Sequence, residues 1–193
     1  MRLEYAVGFI CGETCSSWFV DGLVRLVATE NPPVLQLIAG PVLHRSRNQL
    51  ADMFLKAPWA SGDVADKLVM IDSDIAFTVA DVRALLAHDE PIVTGVYPNS
   101  KGKTMKIGAG FMSIRREVLK KLGPHPFNPV TWGDGAMTGE DVGFLMHAKD
   151  AGYEIVVDPN ISVGHAKVQV LRIFEAGERP VEFLTFDKGL PAQ

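Results

Sequence analysis

Four consecutive apolar residues, Leu68-Val69-Met70-Ile71, run directly into Asp72-Ser73-Asp74. An uninterrupted apolar run bounded by polar residues reads as a strand buried on both faces. Such strands sit in the middle of α/β sheets, and ligands of open α/β sheets bind at the carboxyl ends of the strands. Two carboxylates spaced i, i+2 at that end, with no Lys or Arg adjacent in sequence, repel each other unless they share a cation. Mg²⁺ and Mn²⁺ favour oxygen ligands and bridge to phosphate oxygens, so Asp72 and Asp74 read as a metal–diphosphate site. The competing reading is local. Asp72 then caps a turn and Asp74 solvates the loop toward Thr78, where Thr78-Val79-Ala80-Asp81 forms a capping box opening a helix.

The flanking sequence supplies the alternation that such a sheet needs. Tyr5–Ile10 and Val34–Ala39 read as strands, separated by a helix with Phe19, Leu23, Leu26 and Val27 on one face and stopped by Pro32-Pro33. His44–Ala57 carries Leu50, Met53, Phe54 and Ala57 at i, i+3, i+4, i+7, an amphipathic helix. After strand 68–72 comes a helix with Val82, Leu85 and Leu86 inward, then a strand over Ile92–Tyr97. Strand alternating with helix predicts βαβ units around a mostly parallel sheet.

The second half has a different texture. Ile107–Ile114 is strand-like but holds Gly108 and Gly110; glycines there mark either close approach of a ligand to the backbone or a bulge. Residues 123–139 contain three prolines, four glycines and Trp132 without periodicity, and a connection of that length is usually functional. A helix resumes at Glu140 and stops at Gly152, and Tyr153–Val157 and Ile161–Val163 read as two short strands. Thr138-Gly139-Glu140-Asp141 has capping-box spacing, with the acids also suited to a helix dipole.

Composition removes several function classes. The formal net charge of −4 over 193 residues leaves no electrostatic footprint for nucleic acid, and no basic run suggests a membrane surface. No apolar run approaches a bilayer span, and Glu4 and Glu13 flank the apolar segment 5–11, against a signal peptide. A cytoplasmic location is the expectation. Cys11 and Cys15 are too few for a cluster and read as a reduced pair.

Taken in order, Arg47-Asn48 on a helix, Ile71-Asp72-Ser73-Asp74, Gly95-Val96-Tyr97, Gly108-Ala109-Gly110-Phe111, Gly139-Glu140-Asp141 and Val163-Gly164-His165 resemble the nucleotide-sugar glycosyltransferases of the A-type fold. The likeness is greatest to short members encoded by bacteria and phages, and spans residues 5–167. It implies a single catalytic domain over 1–193: a nucleotide-binding half over about 1–97, an acceptor-side half over about 98–168, and a tail over 169–193. It further implies transfer from a nucleoside diphosphate sugar to an acceptor hydroxyl on a glycan, protein or small molecule. In the family, a bound divalent ion acts as Lewis acid on the departing diphosphate. The resemblance makes Asp74 the metal-coordinating residue, Asp72 a ribose or metal-shell contact, and His165 a further ligand for Mn²⁺ or Mg²⁺. It makes Asp141 the general base of inverting relatives and Glu140 an acceptor contact. Lys167 either helps neutralise the diphosphate or is an ordinary surface lysine. Trp132 either stacks on a sugar face or anchors its loop in the core.

The chain departs from many relatives by having Ala39-Gly40-Pro41 where an Asp-Asp-Gly stretch helps read the nucleoside base. Glu13 and Arg47 are the candidates to substitute, and Arg47 is also a candidate to reach the diphosphate. Two other classes share part of the pattern. A haloacid-dehalogenase-like phosphohydrolase also has an apolar strand followed by Asp-x-Asp, but with Thr or Val where this chain has Ala76. A non-catalytic sugar- or nucleotide-binding module would keep the fold without turnover.

Overall fold

The computed structural model describes residues 3–40, 42–57, 64–98, 104–105, 108–133, 135–166, 169–172 and 182–185. The strands are β1 (Leu3–Cys11), β2 (Val34–Ile38), β3 (Ala65–Ile71), β4 (Ile75–Ala76), β5 (Ile92–Pro98), β6 (Thr104–Met105), β7 (Phe111–Arg115), β8 (Val156–Ser162), β9 (Gly164–His165), β10 (Gln169–Arg172) and β11 (Glu182–Thr185). The helices are α1 (Ser17–Glu30), α2 (Leu43–Lys56), α3 (Val79–Ala87), α4 (Arg116–Leu122) and α5 (Glu140–Asp150).

The central sheet has the order β2-β1-β3-β7-β5-β6, with β8 on the other partner edge of β5. Strands β2, β1 and β3 are mutually parallel, as are β5 and β8. Strand β7 runs antiparallel to both β3 and β5, and β6 antiparallel to β5. Five of the seven strands therefore point one way, and the sheet is mostly parallel, as expected.

The apolar tetrad of β3 divides between the two faces of this sheet. Leu68 and Met70 belong to a core with Leu50 and Phe54 of α2, Leu119 of α4 and Phe144 of α5. Val69 and Ile71 belong to a second core with Phe19 and Leu26 of α1 and Val82 and Leu85 of α3. A strand with side chains alternating into two cores needs apolar residues at every position, which is why the run is unbroken. Helices α1 and α2 cover opposite faces, and β2 and β3 flank β1 on opposite sides. The chain thus reverses direction at β1, and the crevice between the carboxyl ends of β1 and β3 is the topological switch point where α/β folds bind ligands.

The punctuation differs in places from the sequence reading. Helix α1 ends before Pro32-Pro33, at Asn31 in the left-handed conformation (φ 50°). The Thr78–Asp81 capping box forms as expected, and α5 is followed by Gly152 at φ 87°. Tyr153–Val157 and Ile161–Val163 are not two strands: β8 runs through Pro159 with a register shift against β5. Proline donates no ladder hydrogen bond, so the strand absorbs it at that irregularity. Buried cations finish two helices. Lys67 Nζ donates to the Leu86 and His88 carbonyls at 2.9 and 2.8 Å after α3, and Arg116 donates to Phe54 O and Leu55 O at the end of α2.

Candidate active site

Asp72 follows the last residue of β3, and its backbone N–H donates to Gly110 O at 2.8 Å. Its carboxylate is not left facing Asp74. Arg47 Nη2 lies 2.9 Å from Asp72 Oδ1 and 3.0 Å from Oδ2. The same guanidinium lies 3.4 Å from Glu140 Oε1 through Nε, too poorly aligned for a hydrogen bond. Arg47 is only 3% exposed. Burial works against its charge, but Asp72 and then Glu140 hold its pKa above the usual arginine value. The expectation of two mutually repelling carboxylates is thereby corrected: the neutralising cation comes from α2, 25 residues upstream. Arg47 itself is spent on two carboxylates.

Asp74 has a different partner. The short strand β4 pairs antiparallel with β9, setting Ile75 opposite His165, and Ala166 N–H donates to Asp74 O at 2.7 Å. This ribbon brings His165 Nε2 to 2.9 Å from Asp74 Oδ2. The other ring nitrogen, Nδ1, lies 2.8 Å from the Pro98 carbonyl. A carbonyl only accepts, so Nδ1 carries a hydrogen, and Nε2 is the nitrogen turned to the carboxylate. Two electron-rich atoms at that separation need a shared cation, either a proton or a metal. A carbonyl fixing the far nitrogen is also the usual support of a ligating histidine.

The donor set therefore fits a divalent ion in part. Asp74 and His165 converge, whereas Asp72 is held by Arg47. Among the described residues no group of three or more His, Cys, Asp or Glu side chains is arranged to hold a metal. One carboxylate and one imidazole would leave most of a divalent ion's shell to water or to the oxygens of a ligand.

Tyr97, which carried no assigned role in the sequence reading, joins the two halves of the site. Its hydroxyl accepts from Gly110 N–H at 3.2 Å, and its ring meets His165 edge-on at 5.5 Å. Burial first, then the charge of Asp72, pushes its pKa up to about 12, with a further upward contribution from Asp141. It is a neutral hydroxyl at physiological pH. Gly108 and Gly110 are explained by this ring: a Cβ at Gly108 would stand 2.1 Å from the Tyr97 hydroxyl, and one at Gly110 2.8 Å. The close approach that these glycines permit is made by tyrosine, which packs where any Cβ would collide.

Glu140 and Asp141 are the first two residues of α5, but their capping box does not form. Thr138 Oγ1 instead accepts from Val130 N–H at 2.9 Å, closing a hairpin in which Thr131 bridges Met137, and Gly139 takes the cap position. Glu140 is thereby turned to Arg47, while Asp141 Oδ1 accepts from Val142 N–H at 2.8 Å. Trp132, on that hairpin, is 50% exposed, so it is not a core anchor. Glu13 is exposed in the loop after β1, and the structure gives it no contact with these groups. That loop does touch the site through its backbone, where Ser16 N–H donates to Ser73 O at 2.9 Å. Lys167 lies outside the described residues.

No protein-family model and no curated protein matches the sequence. Among solved structures, the chain is similar to A197 from STIV, at a TM-score of 0.50 and 18% identity over 91% of this chain and 87% of that one. It is also similar to a glycosyltransferase involved in the glycosylation of the major capsid of PBCV-1, at a TM-score of 0.50 and 11% identity, covering 80% of this chain and 82% of that one. Likeness at such identities is a likeness of fold. No described helix is long and apolar enough to cross a membrane. The chain has a single-domain, glycosyltransferase-like α/β fold.

Proposed function

We propose that the protein transfers a sugar from a nucleoside diphosphate sugar to an acceptor hydroxyl, using Mn²⁺ or Mg²⁺ held at Asp74 and His165. The observation that carries this reading is the Asp74–His165 pair, two metal-capable groups converging at the carboxyl end of β3. The ion, when bound, supplies positive charge to the departing diphosphate. On this reading residues 1–97 carry the nucleotide and residues 98–168 the acceptor side.

The remaining roles belong to the chain's own groups. Arg47 holds Asp72 and Glu140 on either side of one guanidinium. That leaves Asp72 oriented for a ribose hydroxyl and Glu140 for an acceptor hydroxyl. Asp141 takes the proton from the attacking acceptor oxygen as that oxygen bonds to the anomeric carbon and the bond to phosphate breaks. Tyr97 stays protonated and keeps the Gly108–Gly110 turn in place. Trp132 offers an exposed aromatic face beside α5 on which a sugar ring can stack. The phosphohydrolase alternative needs Asp72 as a nucleophile, and both oxygens of that carboxylate are engaged by Arg47.

The test is a panel of nucleoside diphosphate sugars incubated with the protein, with and without Mn²⁺, and followed by ³¹P NMR. One donor is expected to release its nucleoside diphosphate slowly to water in the presence of the ion, and faster with a matching acceptor. Release of phosphate from simple esters, with every sugar nucleotide left intact, would favour the hydrolase instead.

A further inference from the structure

A cavity lies beside α2, centred away from Arg47. It has a volume of about 600 Å³, within the range of small-molecule sites. Arg45, Gln49 and Asp52 stand roughly 140–200° around the helix from Arg47 at about 100° per residue. Across the cleft stands the turn 124–128, which contributes His125 and Asn128.

This wall is built, not incidental. Asn48, 7% exposed, accepts from Phe127 N–H at 2.8 Å and donates to Asn128 Oδ1 at 2.9 Å. From the other side, His147 Nδ1 donates to Pro126 O at 3.1 Å. A Cβ at Gly143 of α5 would stand 2.4 Å from Asn128 O, so the turn sits directly on that helix. With Oδ1 of Asn128 committed to Asn48, its amide N–H groups are the part left for the cavity.

The polar side chains of the lining, apart from Asp52, can all donate. The guanidinium of Arg45 makes no ion pair among the described residues, and the imidazoles of His44 and His125 and the amides of Gln49 and Asn128 surround the same space. Among the described residues the one carboxylate on the wall, Asp52, is paired with Lys56 at 2.9 Å. His44 and Arg45 also lie in the first turn of α2, which has no side-chain cap and no acidic residue, so the positive end of a fourteen-residue helix adds to the same field. Among the described residues no Phe, Tyr or Trp lines the cavity, which disfavours stacking of an uncharged sugar. We propose that this cleft is a separate binding site for an oxyanion, a phosphate or carboxylate group either free or carried on a small polar molecule. It is independent of the transferase reading, because none of its lining residues belongs to the Asp72–Asp74–His165 site.

Calorimetry with inorganic phosphate and with glucose 6-phosphate, in chelator and with glucose as the uncharged control, tests it on the full chain. Saturable binding of phosphate is expected, shared or strengthened by the phosphorylated sugar and absent for glucose. Arg45→Ala removes an exposed cation, and Asn128→Asp keeps the oxygen that accepts from Asn48 while adding a negative charge. Each should weaken binding about tenfold or more, whereas Asp74→Asn should leave it unchanged. Absence of saturable binding of both phosphate and glucose 6-phosphate to the folded protein, unchanged affinity in either cleft variant, or loss in Asp74→Asn would overturn the proposal. Binding by the phosphorylated sugar alone would identify the sugar-borne group, not the free ion, as the ligand.

Discussion

Arg47→Met is expected to destabilise the protein by about 3 kcal/mol, toward the lower end of what removing one partner of a buried ion pair costs. The guanidinium is buried, but the Asp72 side chain is 33% exposed, so water compensates part of the loss. For a chain of this size the melting temperature should fall by roughly 6–12 °C, at about 2–4 °C per kcal/mol. The loss originates in the carboxylates left behind, so Asp72→Asn added to Arg47→Met should recover part of it. A double-mutant cycle measured by denaturant unfolding gives the coupling directly. Additive effects of the two substitutions would mean that Arg47 stabilises α2 by packing alone. Arg47→Lys should not rescue the site, since Nη2 of the guanidinium meets both Asp72 oxygens while Nε faces Glu140, and a lysine offers one nitrogen for both tasks.

Asp141→Asn is expected to slow sugar transfer about 10²–10⁴-fold, the usual worth of a general base, with nearly unchanged stability. The reason the two effects separate lies in the local geometry. Asp141 Oδ1 accepts from Val142 N–H, and an asparagine retains that oxygen, so the helix start keeps its hydrogen bond while the proton acceptor is lost. Asp141→Ala removes both and should cost an additional amount on the order of 1 kcal/mol in stability, as loss of a helix-terminal partner does. Transfer rates normalised to folded protein, with donor binding measured separately, check this. Full turnover in Asp141→Asn would assign the carboxylate to the helix alone, and a product of retained anomeric configuration would contradict a base at this position.

The order of elements was legible in the sequence because most of it rests on local patterns. The unbroken Leu68–Ile71 run announced a strand packed on both faces, and the two cores on either side of β3 are the reason it is unbroken. The Thr78–Asp81 box was readable because both partners lie within one turn. The Thr138–Asp141 box had the same spacing and did not form, because a competing donor, Val130 N–H, arrives from across a hairpin that no local pattern announces. The antiparallel sense of β7 is of the same kind: direction depends on how the preceding connection returns, and the composition of a strand does not carry it.

The pairing of Arg47 with Asp72 had a faint signal. Arg47 lies three residues before Leu50 and seven before Phe54, on the buried stripe of α2, where a charged head must find a partner inside. What the spacing could not say is which of several carboxylates it meets. Tyr97 left less trace still, since only the fold shows that the ring fills the space opened by two glycines beyond the next strand. The Asp74–His165 contact spans 91 residues, and the resemblance to a family, not residue spacing, linked the two.

The central claim is that Asp74 and His165 together bind a divalent ion that in turn retains a nucleoside diphosphate. Calorimetric titration of a nucleoside diphosphate into the protein, with and without Mn²⁺, tests it in wild type, Asp74→Asn and His165→Ala. In wild type, binding should require Mn²⁺ and weaken on acidification, because protons compete for the imidazole and carboxylate. Both variants should remain folded and lose at least about tenfold in Mn²⁺-dependent affinity, no less than loss of a supporting residue around a metal typically costs. In His165→Ala, Mg²⁺ should suffer less than Mn²⁺, since imidazole suits the transition ion while Mg²⁺ prefers oxygen. Equal, metal-independent binding of the diphosphate by all three proteins would contradict the account.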